Sequence, residues 1–214
     1  MLDVCIIGAG ICGSFLAYDL SHYKGSFAVV EKEHDVAGGV TMANSAIIHA
    51  GYDPKDHTLK AQLNVEGAKA YEAIAQRVHA HYQKIGAYVI ASEESQIAQL
   101  KELQQRGNKR GVRCELVSGE ELKQAEPHVC EAALMALYVP DTAIIEPWEM
   151  ALRLMECAVL NGVDLYLEEE VIGIMHKRDY YEVKTSKQTL CAKRIINAAG
   201  LGAERIGKLC DGAS

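Results

Sequence analysis

The first thirty residues carry two kinds of hydrophobic pattern in turn. VCII is an unbroken apolar run that leads into glycine, as expected of a strand buried on both faces. ICGSFLAYDLSHY then spaces Ile11, Phe15, Leu16 and Leu20 at helical intervals, and Gly25 punctuates it. SFAVVE is a second apolar run, ending at Glu31. This order predicts a βαβ unit from Asp3 to Glu31. A polar, glycine-rich loop, GGVTMANSAIIHAGYDP, comes next, and helical spacing from Leu59 to Val78 predicts a long helix over roughly 56–80.

The middle of the chain changes character. AYVIAS reads as a strand and QIAQLKELQQRGNKRG as an amphipathic helix closed by Gly111. CELV leads into Ser118-Gly119-Glu120-Glu121, a capping box at the start of a helix that reaches toward Pro127. ALMALYVP is a further strand. From Pro147 the helix WEMALRLMECAVL runs to Asn161-Gly162, a natural stop. VDLYL is a strand, and VIGIM, DYYEVKT and QTLCA, parted by short polar turns, predict a three-stranded meander. RIINAAG closes the pattern as a buried strand entering a glycine turn. No repeat or low-complexity tract interrupts it.

Composition narrows the classes. Of 214 residues, 49% are hydrophobic and 24% charged, as in a soluble globular protein with a real core. The net charge of −7 disfavours a nucleic-acid partner, which calls for a basic face. Seven scattered cysteines form no C-x-x-C pair and join no histidine cluster, so no metal site is expected. They read as reduced, mostly buried thiols of a cytoplasmic protein. The first strand begins at Asp3, which leaves no room for a signal peptide, and no apolar run approaches the roughly 20 residues that span a bilayer. Peripheral membrane attachment stays open.

The chemistry begins at Gly8-Ala9-Gly10-Ile11-Cys12-Gly13, a G-x-G-x-x-G turn. The first glycine allows the tight turn, the second the approach of a pyrophosphate, and the third close helix–strand packing. A pyrophosphate there sits over free helix amides and the positive end of the dipole. Glu31 stands 18 residues after Gly13, at a strand end, where its carboxylate can accept ribose hydroxyls and repel a 2′-phosphate. The motif alone says dinucleotide. Three features favour FAD over NAD: the long polar loop 38–53, the meander at 171–191 in place of a crossover helix, and the late strand–glycine element Ile195–Gly200.

Together DVCIIGAGICG, VVEKE, ANSAIIHAGYD, EPWEMALRLMECAVLNGVDLYLEEEVIGI and RIINAAGLGAERI resemble the FAD-dependent oxidoreductases of the D-amino-acid oxidase superfamily. Within it the chain is most similar to the glycerol-3-phosphate dehydrogenase and L-2-hydroxyglutarate oxidase group, over essentially its whole length. The resemblance implies an α/β fold: a Rossmann-like parallel sheet of the glutathione-reductase type, with a β-meander crossover and an inserted α+β substrate domain. It divides the chain into a first FAD-binding segment over 1–81, a partial substrate or cap domain over 82–146, and a second FAD-binding segment over 147–214.

The resemblance also implies roles. Gly8, Gly10 and Gly13, with Ile11 and Cys12 between them, would hold the pyrophosphate; Glu31 would hold the adenosine ribose, with Lys32 beside it. Thr41, Asn44 and Ser45 would lie along the phosphates and flavin. Val171 would meet the adenine through its backbone, and Ala199 and Gly200 would close over the diphosphate. His49 would lie near the flavin ring, able to steady the reduced anion, orient substrate or accept a hydroxyl proton. A loop histidine bonded to backbone for structural reasons fits the same position equally well. His57, His79, His81 and His176 read as surface or structural, and Trp148 as packing the start of its helix.

Members of that family continue well past the position matching Gly200, with further substrate-domain strands and a last glycine-containing FAD segment. The expectation is therefore a C-terminally incomplete chain, ending at Cys210–Ser214, that carries the N-terminal portion of a flavoenzyme. In the intact enzyme a small anionic hydroxy compound, glycerol 3-phosphate or a 2-hydroxy acid, would give hydride to the flavin. The electrons would pass to a quinone, dioxygen or a partner protein. Two other readings stand beside it: a non-catalytic nucleotide-binding subunit completed by a second polypeptide, and an NAD-dependent Rossmann enzyme.

Overall fold

A computed structural model describes residues 1–210 of the chain; 211–214, the end of the expected third segment, lie outside them. The strands are β1 (Val4–Ile7), β2 (Phe27–Val30), β3 (Ile47–Ile48), β4 (Tyr82–Lys84), β5 (Ala87–Ala91), β6 (Glu115–Ser118) and β7 (Met135–Val139). They continue with β8 (Ala143–Ile145), β9 (Asp164–Tyr166), β10 (Val171–His176), β11 (Tyr181–Thr185), β12 (Thr189–Ala192) and β13 (Ile195–Asn197). The helices are α1 (Ile11–Leu20), α2 (Leu59–Val78), α3 (Glu94–Lys109), α4 (Gly119–Ala125), α5 (Pro147–Leu160) and α6 (Ala203–Lys208). Residues pack into two units, Met1–Ser45 with Val78–Ala80 and Glu146–Ser214, and Ala46–Arg77 with His81–Ile145.

The first unit is built on a parallel sheet in the order β13-β1-β2-β9. Alternation along β1 and β2 explains why both are apolar throughout. Val4, Ile6, Phe27 and Val29 face α1 and α5, packing with Ala17, Met155 and Ala158. Cys5, Ile7, Ala28 and Val30 face the opposite way, against Val171, Ile174, Val183 and Ala192 of the meander. One face is thus covered by helices and the other by the antiparallel β10-β11-β12 sheet. Burying each of the larger side chains contributes about 1.5–3 kcal/mol. Pro147 opens α5, and Asn161-Gly162 closes it: Gly162 has φ +95°, its amide reaches Val159 O, and that of Val163 reaches Ala158 O.

The second unit holds two antiparallel sheets, β3-β8-β4 and β5-β7-β6. Leu100 and Leu103 of α3 pack on Ala91, Leu137 and Val139, and Leu122 of α4 packs with Ala133 and Ala136. The Ser118–Glu121 capping box is present with both reciprocal bonds. Helix α3 ends at Gly111 in the same way that α5 ends at Gly162.

Residues 46–77 group with this unit because their partners lie in it. Strand β3 pairs with β8, and Arg110 donates to the carbonyls of Gly51 and Pro54 and to the Asp56 carboxylate. Strands β3, β4 and β8 were not among the strands expected from the hydrophobic pattern.

The cysteines correct an expectation. All seven are free, but only Cys5 and Cys114 are buried; Cys12 and Cys130 are exposed and the other three half-buried. Cys12 is outward because it sits in the first turn of α1, where the helix end opens to a cavity.

Candidate functional site

At the C-terminal ends of β13, β1 and β2 the first unit opens into a cavity of about 620 Å³. Such a size falls within the roughly 300–1,000 Å³ of cofactor and ligand sites. Its position is the one at which parallel α/β sheets bind ligands, where loops leave neighbouring strands in different directions.

The glycine turn forms its floor. Gly8 has φ +103°, and a Cβ there would come within 2.6 Å of Ala198 O. A Cβ on Gly13 would stand 1.9 Å from Gly8 O, so α1 can approach β1 this closely only without a side chain. The Ser14 amide reaches Gly10 O, and the Ile11 amide is taken by Thr41 Oγ1 at 3.0 Å. By helix geometry the amides of Cys12 and Gly13 have no partner within α1. Cys12 lines the cavity, and its amide is the donor a bound anion would use.

Glu31 does two things at once. Its Oε2 accepts from the Ala9 amide at 2.8 Å and its Oε1 from the Glu33 amide at 3.0 Å. Each oxygen keeps lone-pair capacity toward the cavity, because a carboxylate offers about four acceptor sites. Lys32 pairs with Glu33 at 3.0 Å, and that partner raises its pKa.

Beyond Glu31, the amides of Glu168 and Glu169 donate to Glu33 O and Glu31 O. The Glu169 carboxylate is buried and accepts from Thr185 Oγ1 at 2.8 Å and Gln188 Nε2 at 3.0 Å. In this way the β11–β12 turn is fastened to the segment before Val171. Glu170 pairs with Arg205 of α6 at 2.8 Å.

Gly8, Gly10, Ile11, Cys12, Glu31, Lys32, Thr41, Asn44, Val171, Ala199 and Gly200 all line this cavity. Gly13 lies behind the turn and is buried. Ser45 is exposed and is not among the lining residues. His49 is exposed and belongs to the second unit, where its carbonyl accepts from Asn64 Nδ2 at 3.3 Å. His57, His79, His81 and His176 are exposed, and Trp148 donates to Glu146 beside the start of α5.

Glu169, Glu170, Leu201 and Arg205, to which neither the motifs nor the resemblance assigns a role, also line the cavity. The acidic run Glu168-Glu169-Glu170 was a signal, since one of three consecutive carboxylates is buried. Among the described residues no cluster of His, Cys, Asp and Glu could hold a metal ion, and no helix is long and apolar enough to cross a membrane.

Comparison with known proteins gives this geometry a context. A family model described as FAD dependent oxidoreductase (DAO) matches residues 3–213. The glycerol 3-phosphate dehydrogenase of Caloramator mitchellensis is 38% identical over 98% of this chain and 44% of its own length. Human mitochondrial L-2-hydroxyglutarate dehydrogenase is 31% identical over 97% of the chain and 48% of its own.

Among solved structures, the dithionite-reduced L-α-glycerophosphate oxidase of Mycoplasma pneumoniae with FAD bound superposes with a TM-score of 0.91 at 32% identity. That match covers 98% of this chain and 56% of the other. Glycine oxidase from Geobacillus kaustophilus gives 0.91 at 21% identity, covering 97% and 58%, which speaks for the fold alone. The chain spans about half the length of the curated relatives it matches.

Proposed function

The chain belongs to the DAO family of FAD-dependent oxidoreductases, and from that membership we propose that it contributes the ADP-binding half of an enzyme oxidising a small anionic hydroxy compound. One observation carries the reading: the glycine turn, the free amides of α1 and the Glu31 carboxylate converge on one cavity.

The residues present fit FAD. Gly8 and Gly10 let the backbone meet the pyrophosphate, with the Ile11 and Cys12 stretch of α1 facing it and Gly13 permitting the approach. Glu31 takes ribose hydroxyls, Val171 presents its backbone to the adenine, and Ala199 and Gly200 close over the diphosphate. Lys32 stands beside Glu31 at the ribose, and Thr41 and Asn44 line the way along the phosphates toward the flavin, with Ser45 next to them outside the cavity wall.

When bound, the flavin supplies acceptance of a hydride from the carbon bearing the substrate hydroxyl. The hydroxyl proton then needs an acceptor, and His49 is the chain's candidate for it. The substrate class is drawn from the relatives, whose names specify glycerol 3-phosphate and L-2-hydroxyglutarate. Reoxidation falls to a quinone, dioxygen or a partner protein.

The test is to purify the chain and assay FAD uptake by flavin absorbance and by release on denaturation. Bleaching of the bound flavin under anaerobic conditions by glycerol 3-phosphate or by L-2-hydroxyglutarate then identifies the substrate. A chain that takes up FAD and is bleached by neither, even when the segments its relatives carry beyond the matched half are supplied, contradicts the substrate assignment.

The coverage of about half of each relative favours one second reading, a nucleotide-binding subunit that needs another polypeptide to complete the flavin site. Bleaching by substrate with this chain alone contradicts it.

A further inference from the structure

Leu201 is 91% exposed, the most exposed of the large apolar side chains among the described residues, and it stands on the wall of the cavity. Its backbone is firmly held. It lies in a 3-10 turn, Gly200–Gly202, closed by a bond from the Gly202 amide to Ala199 O at 2.9 Å. Asn197 braces both ends of that turn: its Nδ2 donates to Ala203 O at 2.7 Å and its Oδ1 accepts from the Ala199 amide at 3.3 Å. An apolar group fixed in water makes no contribution to the fold, yet burying it under a ligand would be favourable and would require little further ordering.

A second apolar side chain stands in the corresponding place on the other flank. Val40, in the turn Val40–Met42, is 53% exposed and lines the same cavity. That turn follows β2, and the Leu201 turn follows β13; β2 and β13 are the two neighbours of β1, which carries the glycine turn. The cavity is therefore flanked on both sides of the pyrophosphate floor by exposed aliphatic side chains. Neither is needed to close a core.

We propose that Leu201 is a cofactor-contacting residue that, with Val40, clasps the bound dinucleotide and sets its affinity. The proposal rests on the reading that FAD occupies this cavity.

The experiment is FAD titration of the purified full chain, followed by quenching of flavin fluorescence, beside thermal unfolding of the FAD-free protein. Leu201→Ser should weaken FAD binding roughly ten-fold, the scale of losing most of one buried aliphatic contact. It should leave the unfolding midpoint of the FAD-free chain unchanged, because the side chain touches little there. Leu201→Met should restore most of the affinity, and Val40→Ser should weaken binding to a smaller degree. Unchanged FAD affinity in Leu201→Ser overturns the proposal, as does a fall in the FAD-free midpoint that accompanies the loss. A wild-type chain that takes up no FAD overturns the cofactor reading and the proposal with it; uptake equal in wild type and Leu201→Ser overturns the proposal alone.

Discussion

Glu31 Oε2 accepts a hydrogen bond from the Ala9 amide at 2.8 Å, so the carboxylate at the end of β2 is tied to the glycine turn that follows β1. The residue that would recognise the ribose therefore also fixes the loop that would receive the pyrophosphate.

Glu31→Ala removes the acceptor of both the Ala9 and Glu33 amides. It is expected to cost about 1–3 kcal/mol of stability and to weaken FAD binding roughly ten-fold or more. Glu31→Gln keeps one acceptor oxygen and should fall between. Urea unfolding and FAD titration check the two effects separately; a full-affinity Glu31→Ala would remove the ribose role.

Two glycines should respond to the same change in opposite directions. Gly13→Ala drives a Cβ against the Gly8 carbonyl, backbone on backbone, and should cost about 3 kcal/mol or more. Gly67, exposed in α2, has nothing within 4 Å of a built Cβ, so Gly67→Ala should stabilise by up to about 1 kcal/mol. Chemical denaturation of the two variants reads both signs.

Asp141 tests the pH dependence. The hydrogen bond from Arg113, at 2.8 Å, holds its pKa below the ordinary value. A carboxylate lowered on folding contributes stability that is fully present above its unfolded pKa, about 3.9, and is lost as pH falls through the folded value. Asp141→Asn should thus lower the unfolding midpoint slightly and by a constant amount between about pH 5 and 8. The difference from wild type should close as acid protonates Asp141. A difference that widens toward acid would contradict the sign.

Thiol labelling should sort the cysteines by environment. Cys12 and Cys130, both exposed, should alkylate first. Cys5 should resist, since it is fully buried and burial pushes its thiol up to about 12. FAD should slow labelling of Cys12, which lines the cavity, and leave Cys130 unaffected. Peptide mass spectrometry resolves the three sites.

Much of this protein is determined locally and could be read directly from the chain. Unbroken apolar runs at Val4–Ile7 and Phe27–Val30 follow from burial on both faces, and the glycines at 111 and 162 end helices because few other residues accept positive φ. The G-x-G-x-x-G turn and Glu31 were legible for the same reason: their spacing is set by one βαβ unit.

Tertiary structure decided what depends on distant segments meeting. The pairing of β3 with β8 joins residues nearly a hundred positions apart, and so groups 46–77 with the second unit. Thr41 over the Ile11 amide, Glu169 buried against Thr185, and Leu201 left in solvent on a braced turn likewise have no local signature. Sequence spacing reports the period of an element. Which side chain is buried, bonded or left exposed depends on what the folded chain places against it.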